Sequence, residues 1–558
     1  MVHPARLTAR LAARHTTVRL TTVRLTARNT LWMLGLVAFP FTAEGALIST
    51  DGDFGEWLPE HVVATDASGD ATGAFDVTSL SAVGSGSELR FRFDIGSTLN
   101  LPAGSGADGT LRVELGLPND TLTIDFRSRR AYLNGNSSSR IPWLDLGFQA
   151  APTYASSEYE VAVDLSAYGV AAGSTISMDF SGSDALTQAV AVQMGAALPA
   201  DIRRSADRLP GTDFRVMSLN TRQSGLSDPS RAASLGRIIG AMDADVYAFQ
   251  EESTSAAQVA SILQSIDPFG DGAAWNVTQN SSNILASRSP IVPMPEADNR
   301  YVAGVVELPT GPVVALSIHP KCCGYIGSSE DATRIAQMQG VIDTIADLRA
   351  GNLGGALAPF ADAPVFVIGD YNLVGSRTPL DMLEEGAGPD LARWQLPHQI
   401  GDGATTWRSQ TSSFWPGQLD LLTYSPDALV EQNGFVFDSA QLNAGELSAL
   451  GLFANDSGSS DHLALIADFA LLADTLPGDA NGDGAVDLLD FDVLAQNFGQ
   501  PTAGGASAGD FNGDGVVDLL DFDLLSQNFG NSSPGNVPEP ASLALLLLGG
   551  AAVVRRTR

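Results

Sequence analysis

The chain is short of cysteine, of basic residues and of uninterrupted apolar length, and each shortage excludes something. Only two of its 558 residues are cysteines, Cys322 and Cys323, and they are adjacent. No disulfide framework and no Cys-rich zinc site can be built from them. They could form a vicinal disulfide or remain two free thiols. Charged residues make up 17% of the chain, and 31 Lys and Arg stand against 64 Asp and Glu, a formal net charge of −33. A surface this acidic does not hold nucleic acid by general attraction. It does not exclude a nuclease, because a metal ion can supply local positive charge. There is no HExxH metal motif and no Gly-x-Ser-x-Gly nucleophile. The apolar run Ala541 to Val554 falls short of the ~20 residues that a spanning helix needs.

Against these shortages, 44% of the chain is apolar, enough for several cores, and a chain this long divides into domains. The first 46 residues carry six Arg and one Glu, then the apolar stretch "TLWMLGLVAFPFTAEGA" ending in small residues. Residues 1–46 therefore read as a signal peptide. The far end, "VPEPASLALLLLGGAAVVRRTR", closes on Arg555, Arg556 and Arg558. The order of Val-Pro-Glu-Pro, apolar run and basic tail over residues 531–558 resembles the PEP-CTERM sorting signal. That resemblance implies exosortase-type processing of the C-terminus. Both ends imply export to a bacterial cell envelope or beyond it.

Between the ends the pattern changes three times. Residues 47–197 alternate apolar and polar residues in runs such as "ELRFRFDIG" and "YEVAVDLSAY", divided by Gly/Ser turns, which predicts an all-β sandwich. Its opening "STDGDFGEW" resembles family-nine carbohydrate-binding modules, which implies a carbohydrate partner; Trp57 would then stack on sugar, or else pack in the core. Residues 198–211 form a Pro- and Ala-rich linker. Over 212–471, short apolar runs alternate with amphipathic segments, the mark of an α/β domain. "RAASLGRIIGAMD" sets Leu235, Ile238 and Ile239 on one helical face, and "ATRIAQMQGVIDTIADLR" sets Ile335, Met338, Val341, Ile342 and Ile345 on another. A second linker, 472–478, leads to an internal repeat at 479–530.

In that repeat "DANGDGAVDLLDFDVLAQNFG" recurs as "DFNGDGVVDLLDFDLLSQNFG". Each copy spaces oxygen ligands at positions 1, 3, 5, 9 and 12 of an EF-hand-like loop, with Gly at position 6 for the sharp turn. The side-chain ligands are Asp479, Asn481, Asp483, Asp487 and Asp490, then Asp510, Asn512, Asp514, Asp518 and Asp521. Ala485 and Val516 supply backbone carbonyls. Two Ca²⁺ ions are expected. Two such loops, each followed by a helix, resemble a type I dockerin, which implies a cohesin-like scaffold as partner.

In the α/β segment polar residues sit at strand ends: Asn220 after "FRVMSL", Gln250 and Glu251 after "DVYAF", His319 after "PVVALSI", and Asp370 and Asn372 after "VFVIG". Asp420 opens "LDLLTYS", and Asp461 and His462 precede "LALIADF". Strand alternation places Asp370 and Asn372 on one side. Carboxylates and carboxamides are hard donors suited to Mg²⁺ or Mn²⁺. The ordered set "SLN", "FQE", "NILASRSPI", "SIHP", "GDYN", "QLDLLTYS" and "SSDHLAL" resembles the endonuclease/exonuclease/phosphatase superfamily, the deoxyribonuclease-I-like enzymes. The resemblance implies an α/β four-layer sandwich, two packed β-sheets flanked by helices, hydrolysing phosphoesters with Mg²⁺ or Mn²⁺. It implies Glu251 as principal metal ligand, with Asn220 and Asp461 beside the metal. It makes Asp370 the residue that positions or deprotonates water, and Asn372 a donor to phosphoryl oxygens. His462 contacts the phosphate or moves a proton, Asp420 fixes its ring, and His319 polarises the phosphate or serves the leaving group. Trp407 and Arg408, just ahead of Asp420, would border the substrate.

The expected protein is thus an exported metal-dependent phosphodiesterase or endonuclease, acting on nucleic acid, a lipid head group or a small phosphoester. The alternatives are a phosphomonoesterase of sugar or inositol phosphates, and a non-catalytic surface protein that binds carbohydrate and a scaffold.

Overall fold

The computed structural model describes residues 48–101, 109–198, 205–269, 274–384, 391–393, 405–472, 478–481, 484–502, 505–512 and 515–531. The expected signal peptide, the sorting signal and most of the second linker lie outside the described residues, as do Asp483 and Asp514. Among the described residues no helix is long and apolar enough to cross a membrane.

Among the described residues, ten strands and no α-helix fill the N-terminal part: β1 (Val62–Thr65), β2 (Ser79–Ser85), β3 (Glu88–Leu99), β4 (Leu111–Gly116), β5 (Thr121–Asp125), β6 (Arg130–Leu133), β7 (Gln149–Ala151), β8 (Ser156–Asp164), β9 (Thr175–Gly182) and β10 (Val190–Gly195). They hydrogen-bond in the order β6-β5-β4-β9-β10-β2-β3-β8-β7, with β1 added beside β2. The predicted alternation is present: β4 reads buried and half-buried by turns. Inward residues of both halves, among them Phe91, Phe93, Val113, Ile124 and Ile176, share one core. Trp57 is buried and donates its indole N–H to Glu160 at 3.0 Å, so its ring is a core residue.

The following part holds two six-stranded mixed sheets. One contains β11 (Phe214–Asn220), β12 (Val246–Gln250), β13 (Asn276–Asn280), β14 (Asn283–Ser287), β21 (Leu429–Phe437) and β22 (Ala464–Leu471). The other contains β15 (Ile291–Pro293), β16 (Tyr301–Leu308), β17 (Gly311–Ile318), β18 (Val365–Asp370), β19 (Ala392–Arg393) and β20 (Asp420–Tyr424). Central strands are apolar on both faces because both faces are covered. One face of each sheet joins a shared core containing Val216, Ala248, Leu285, Val306, Phe366, Ile368 and Leu465. The opposite faces pack helices: α1 (Ala232–Met242), α2 (Ala256–Ile266) and α5 (Ala444–Leu450) on the first sheet, and α3 (Ser329–Arg349) and α4 (Thr378–Glu384) on the second.

The helix faces follow the spacing with one departure. Leu235, Ile238 and Ile239 are buried on α1. On α3, Met338, Val341, Ile342 and Ile345 are buried, but Ile335 is only half-buried while Asp331 and Arg334 are buried in its place. Their partners explain it. Arg334 donates to the Cys323 carbonyl at 2.7 Å, and Asp331 accepts from the Gly327 and Ser376 amides at 3.0 and 2.8 Å. This polar turn pins two loops that reach the site described next. Beyond these sheets lie α6 (Leu488–Asn497) and α7 (Leu519–Asn528), whose small core is Val486, Leu494, Val517 and Leu525.

Candidate active site

Strand registry brings the polar ends to one rim. β11 and β12 run parallel with Asn220 beside Gln250; β17 and β18 run parallel with Ile318 beside Gly369; and β20 runs antiparallel to β18 with Asp420 opposite Asp370. β22 is antiparallel to β11, so its leading residues Asp461 and His462 arrive at the same edge.

Asp370 lies at the centre, buried. Its Oδ2 is 3.1 Å from Asn220 Nδ2 and 3.2 Å from Asn372 Nδ2. The same oxygen faces His319 Nε2 at 3.5 Å and His462 Nε2 at 3.6 Å. Asn372 does not reach it by strand alternation. The strand ends at Asp370, Asn372 adopts a left-handed φ of +49°, and its N–H donates to Asp370 Oδ1 at 3.0 Å. A short turn stabilised by the aspartate's own side chain does the work assigned to the pleat. Tyr371 points away, and its hydroxyl donates to the Val367 carbonyl at 3.0 Å.

His462 Nδ1 and Asp420 Oδ2 are 2.7 Å apart, both buried. Burial would push this imidazole down, but Asp420 and Asp370 outweigh it and hold His462 up at about 10. Burial pushes the Asp370 carboxyl up, against the attraction of His462 and His319. Asp420 Oδ1 and His319 Nδ1 are buried with no hydrogen-bond partner.

Asp370, Asp420 and His462 place one ligand atom each within 4.8 Å of one another. The contact between His462 Nδ1 and Asp420 holds the ring and leaves Nε2 facing Asp370. Glu251 and Asp461 are the freer carboxylates, with side chains 32% and 27% exposed to the cavity. Asn220 lies 3.3 Å from Glu251. An oxygen-only set of this kind fits a hard divalent cation.

Above these residues opens a cavity of about 310 Å³. Glu251, His319, Asp370, Asn372, Asp461 and His462 line it, as do Trp407, Phe414 and Trp415, Arg300, Lys321 and the cysteine pair. Lys321 is the one lysine in the chain, a compositional signal that marks the site. Arg222, two residues past Asn220, sits 3.9 Å from Asp461; its neighbour in "SLNTRQ" was the only clue to it. Cys322 and Cys323 are free thiols with sulfurs 2.8 Å apart. The Cys323 hydrogen bond brings the Cys322 thiol down to about 6.

Of the two expected substrate contacts, Trp407 lines the cavity. Arg408 instead forms a paired contact with buried Asp438 at 2.5 and 2.9 Å. In the repeat, Asp490 accepts from the Ala480, Asn481 and Asp487 amides, and Asp521 from Phe511, Asn512 and Asp518, all at 2.8–3.1 Å. Asp479 and Asp510 each accept from the glycine at position 6, at 2.8 and 3.0 Å. The loops are thus wound with carboxylates gathered inside, and Asp510 Oδ1 is buried without a partner.

The Endonuclease/Exonuclease/phosphatase family model matches residues 217–462, and the Dockerin type I domain model matches residues 477–530. A comparison with curated proteins found no match. Solved structures that the chain resembles include the human Nocturnin catalytic domain with bound sulfate (17% identity, 48% of this chain and 97% of that one, TM-score 0.33). Others are ANGEL2, a 2',3'-cyclic phosphatase, with adenosine-2',3'-vanadate (15% identity, 48% of this chain and 99% of that one, TM-score 0.33), and an endonuclease/exonuclease/phosphatase from Bacteroides vulgatus (13% identity, 46% and 99%, TM-score 0.33). The chain carries an endonuclease/exonuclease/phosphatase domain and a dockerin type I domain, and it is a phosphoester hydrolase.

Proposed function

We propose that residues 212–471 form a divalent-metal-dependent phosphodiesterase, exported with a calcium-loaded dockerin that attaches it to a cohesin-like scaffold. One observation carries the catalytic reading. A single buried carboxylate, Asp370, is held by two carboxamides and faced by the Nε2 atoms of two histidines at the floor of a cavity.

Glu251, with Asn220 and Asp461, would hold the cation, which when bound supplies positive charge against the charge that builds on phosphoryl oxygens. The remaining work belongs to the chain's own groups. Asn220 and Asn372 fix Asp370 so that its carboxylate orients a water and accepts its proton. Asp420 on Nδ1 keeps the His462 ring charged and aimed, so that Nε2–H can donate to a phosphoryl oxygen. His319, whose Nε2 also faces Asp370, is placed to serve the leaving group. The sorting signal read at 531–558 and the leader at 1–46 support export.

The test is turnover of bis-p-nitrophenyl phosphate, DNA and phosphomonoesters by the full chain in Mg²⁺ or Mn²⁺. Glu251→Ala and His462→Ala should each lower turnover of the preferred substrate by about 10³-fold or more. Undiminished turnover in either variant, or in excess EDTA, would sink the mechanism. Preference for monoesters would move the assignment to a phosphatase.

A further inference from the structure

The N-terminal domain, whose opening resembles carbohydrate-binding modules, also contributes Thr153 to the cavity. The link is an arm, Trp407 to Gly417. Its base is closed by reciprocal backbone hydrogen bonds between Trp407 and Gly417 at 3.0 and 3.1 Å. The Arg408 amide donates to the Asp461 carbonyl at 2.8 Å, and Trp407 is bridged to His462. The arm's base therefore rests on the segment that carries His462.

The tip belongs to the other domain. Trp415 is buried in the N-terminal core, its ring 5.9 Å from Phe126, 6.1 Å from Trp143 and 5.8 Å from Phe148. The Trp143 indole N–H donates to the Ser413 carbonyl at 3.0 Å, and Arg140 donates to the Ser412 carbonyl. The Arg129 guanidinium lies over Phe414, 4.0 Å from the ring centroid. Such a contact holds a partly exposed ring in place. Thr153, from the same domain, lines the cavity and donates to the Leu373 carbonyl at 2.7 Å. Asn100 donates to the Val374 carbonyl at 3.0 Å and accepts from the Ile326 amide at 2.6 Å. Three loops around the cavity are thus held by one domain.

We propose that the N-terminal domain is a specificity element of the active site: by gripping the arm it walls the cavity for a small phosphodiester that carries a flat apolar group. This rests on the phosphodiesterase reading. Trp407 and Phe414 offer aromatic surface to the cavity, backed by buried Trp415. Arg300 and Lys321 in the same lining offer positive charge. A cavity of about 310 Å³ suits a small molecule. It does not suit a duplex, which the net charge of −33 also repels.

The test compares bis-p-nitrophenyl phosphate with methyl p-nitrophenyl phosphate, which share a leaving group and differ only in the second ester. The full chain in Mg²⁺ and Ca²⁺ should prefer the diaryl ester. The double variant Arg129→Ala/Trp143→Phe, which touches no reacting atom, should lose about tenfold of that preference through KM, with kcat for the methyl ester unchanged. Phe414→Ala, which removes aromatic surface from the cavity itself, should likewise weaken the preference for the diaryl ester if the double variant folds poorly. Binding of phenyl phenylphosphonate by calorimetry gives a readout independent of turnover, and should weaken in step. An unchanged preference, unchanged phosphonate binding, or duplex DNA cleaved as efficiently as the diaryl ester overturns the proposal. Absence of all metal-dependent turnover overturns the phosphodiesterase reading instead, and the phosphonate binding then decides this one.

Discussion

Asp420 reaches the reaction only through the ring it holds. Its Oδ2 is 2.7 Å from His462 Nδ1, so Asp420→Asn keeps a polar group of the same shape and removes the charge that sustains the imidazolium. Turnover is expected to fall by about 10²–10⁴-fold with the melting temperature little changed; steady-state kinetics beside calorimetry checks both. A second carboxylate, outside the cavity lining, acts on stability instead. Glu160 is buried and accepts from the Asp51 and Gly52 amides and the Trp57 indole. Burial pushes its carboxyl up to about 8 from the ordinary 4.5, against those three donors. The fold therefore binds this proton more tightly than the unfolded chain does. The stability it contributes is complete below about pH 4.5 and is lost as pH rises through about 8. Scanning calorimetry from pH 5 to 9 should show the main transition falling, and Glu160→Gln should flatten that slope. A wild-type transition that rises across this window would refute the assignment.

Strands and helices were legible where burial follows a period, and less so where polar groups enter the core. Alternation located β3 and β8, and the apolar runs located β11, β12, β17 and β18. The spacing on α3 failed at one turn, because Arg334 and Asp331 satisfy loop backbone there and displace Ile335. The site's residues were legible because each follows or opens an apolar run. The arm was not, since its partners Arg129, Arg140 and Trp143 lie more than 250 residues away in the chain, and no local period encodes a contact at that distance. Gly369 shows what an element end demands. Its φ is +143°, and an added Cβ would stand 2.3 Å from the Ile318 carbonyl oxygen on the neighbouring strand. Gly369→Ala must push β17 and β18 apart just where His319 and Asp370 depart from them. It should cost about 1–3 kcal/mol of stability and lower turnover as well, read by denaturant unfolding and kinetics on the same samples. Wild-type stability with normal activity would show that the rim tolerates such a shift.

At the scale of the whole molecule, core size decides which parts stand alone. Trp415 belongs to the catalytic segment by sequence and to the N-terminal core by packing, so those two parts should melt together. Among the described residues the dockerin's apolar core cluster is Val486, Leu494, Val517 and Leu525, with Phe511 packed beside them. A core that small does not support a fold without a bound metal. Its carboxylates repel one another when no cation lies among them. Leu488, Leu489, Leu519 and Leu520 remain largely exposed at matching positions of α6 and α7, apolar surface available to a partner rather than to the module's own core. In Ca²⁺ the chain should therefore show two calorimetric transitions. Adding EGTA with excess Mg²⁺ should abolish the smaller one and leave the larger one, and phosphodiester turnover, in place. Asp490→Ala and Asp521→Ala together should reproduce the effect of EGTA, since each carboxylate gathers three loop amides. If EGTA also lowered the larger transition, calcium would have to bind the sheet domains too, and the division of labour between the two metal-binding regions would fall.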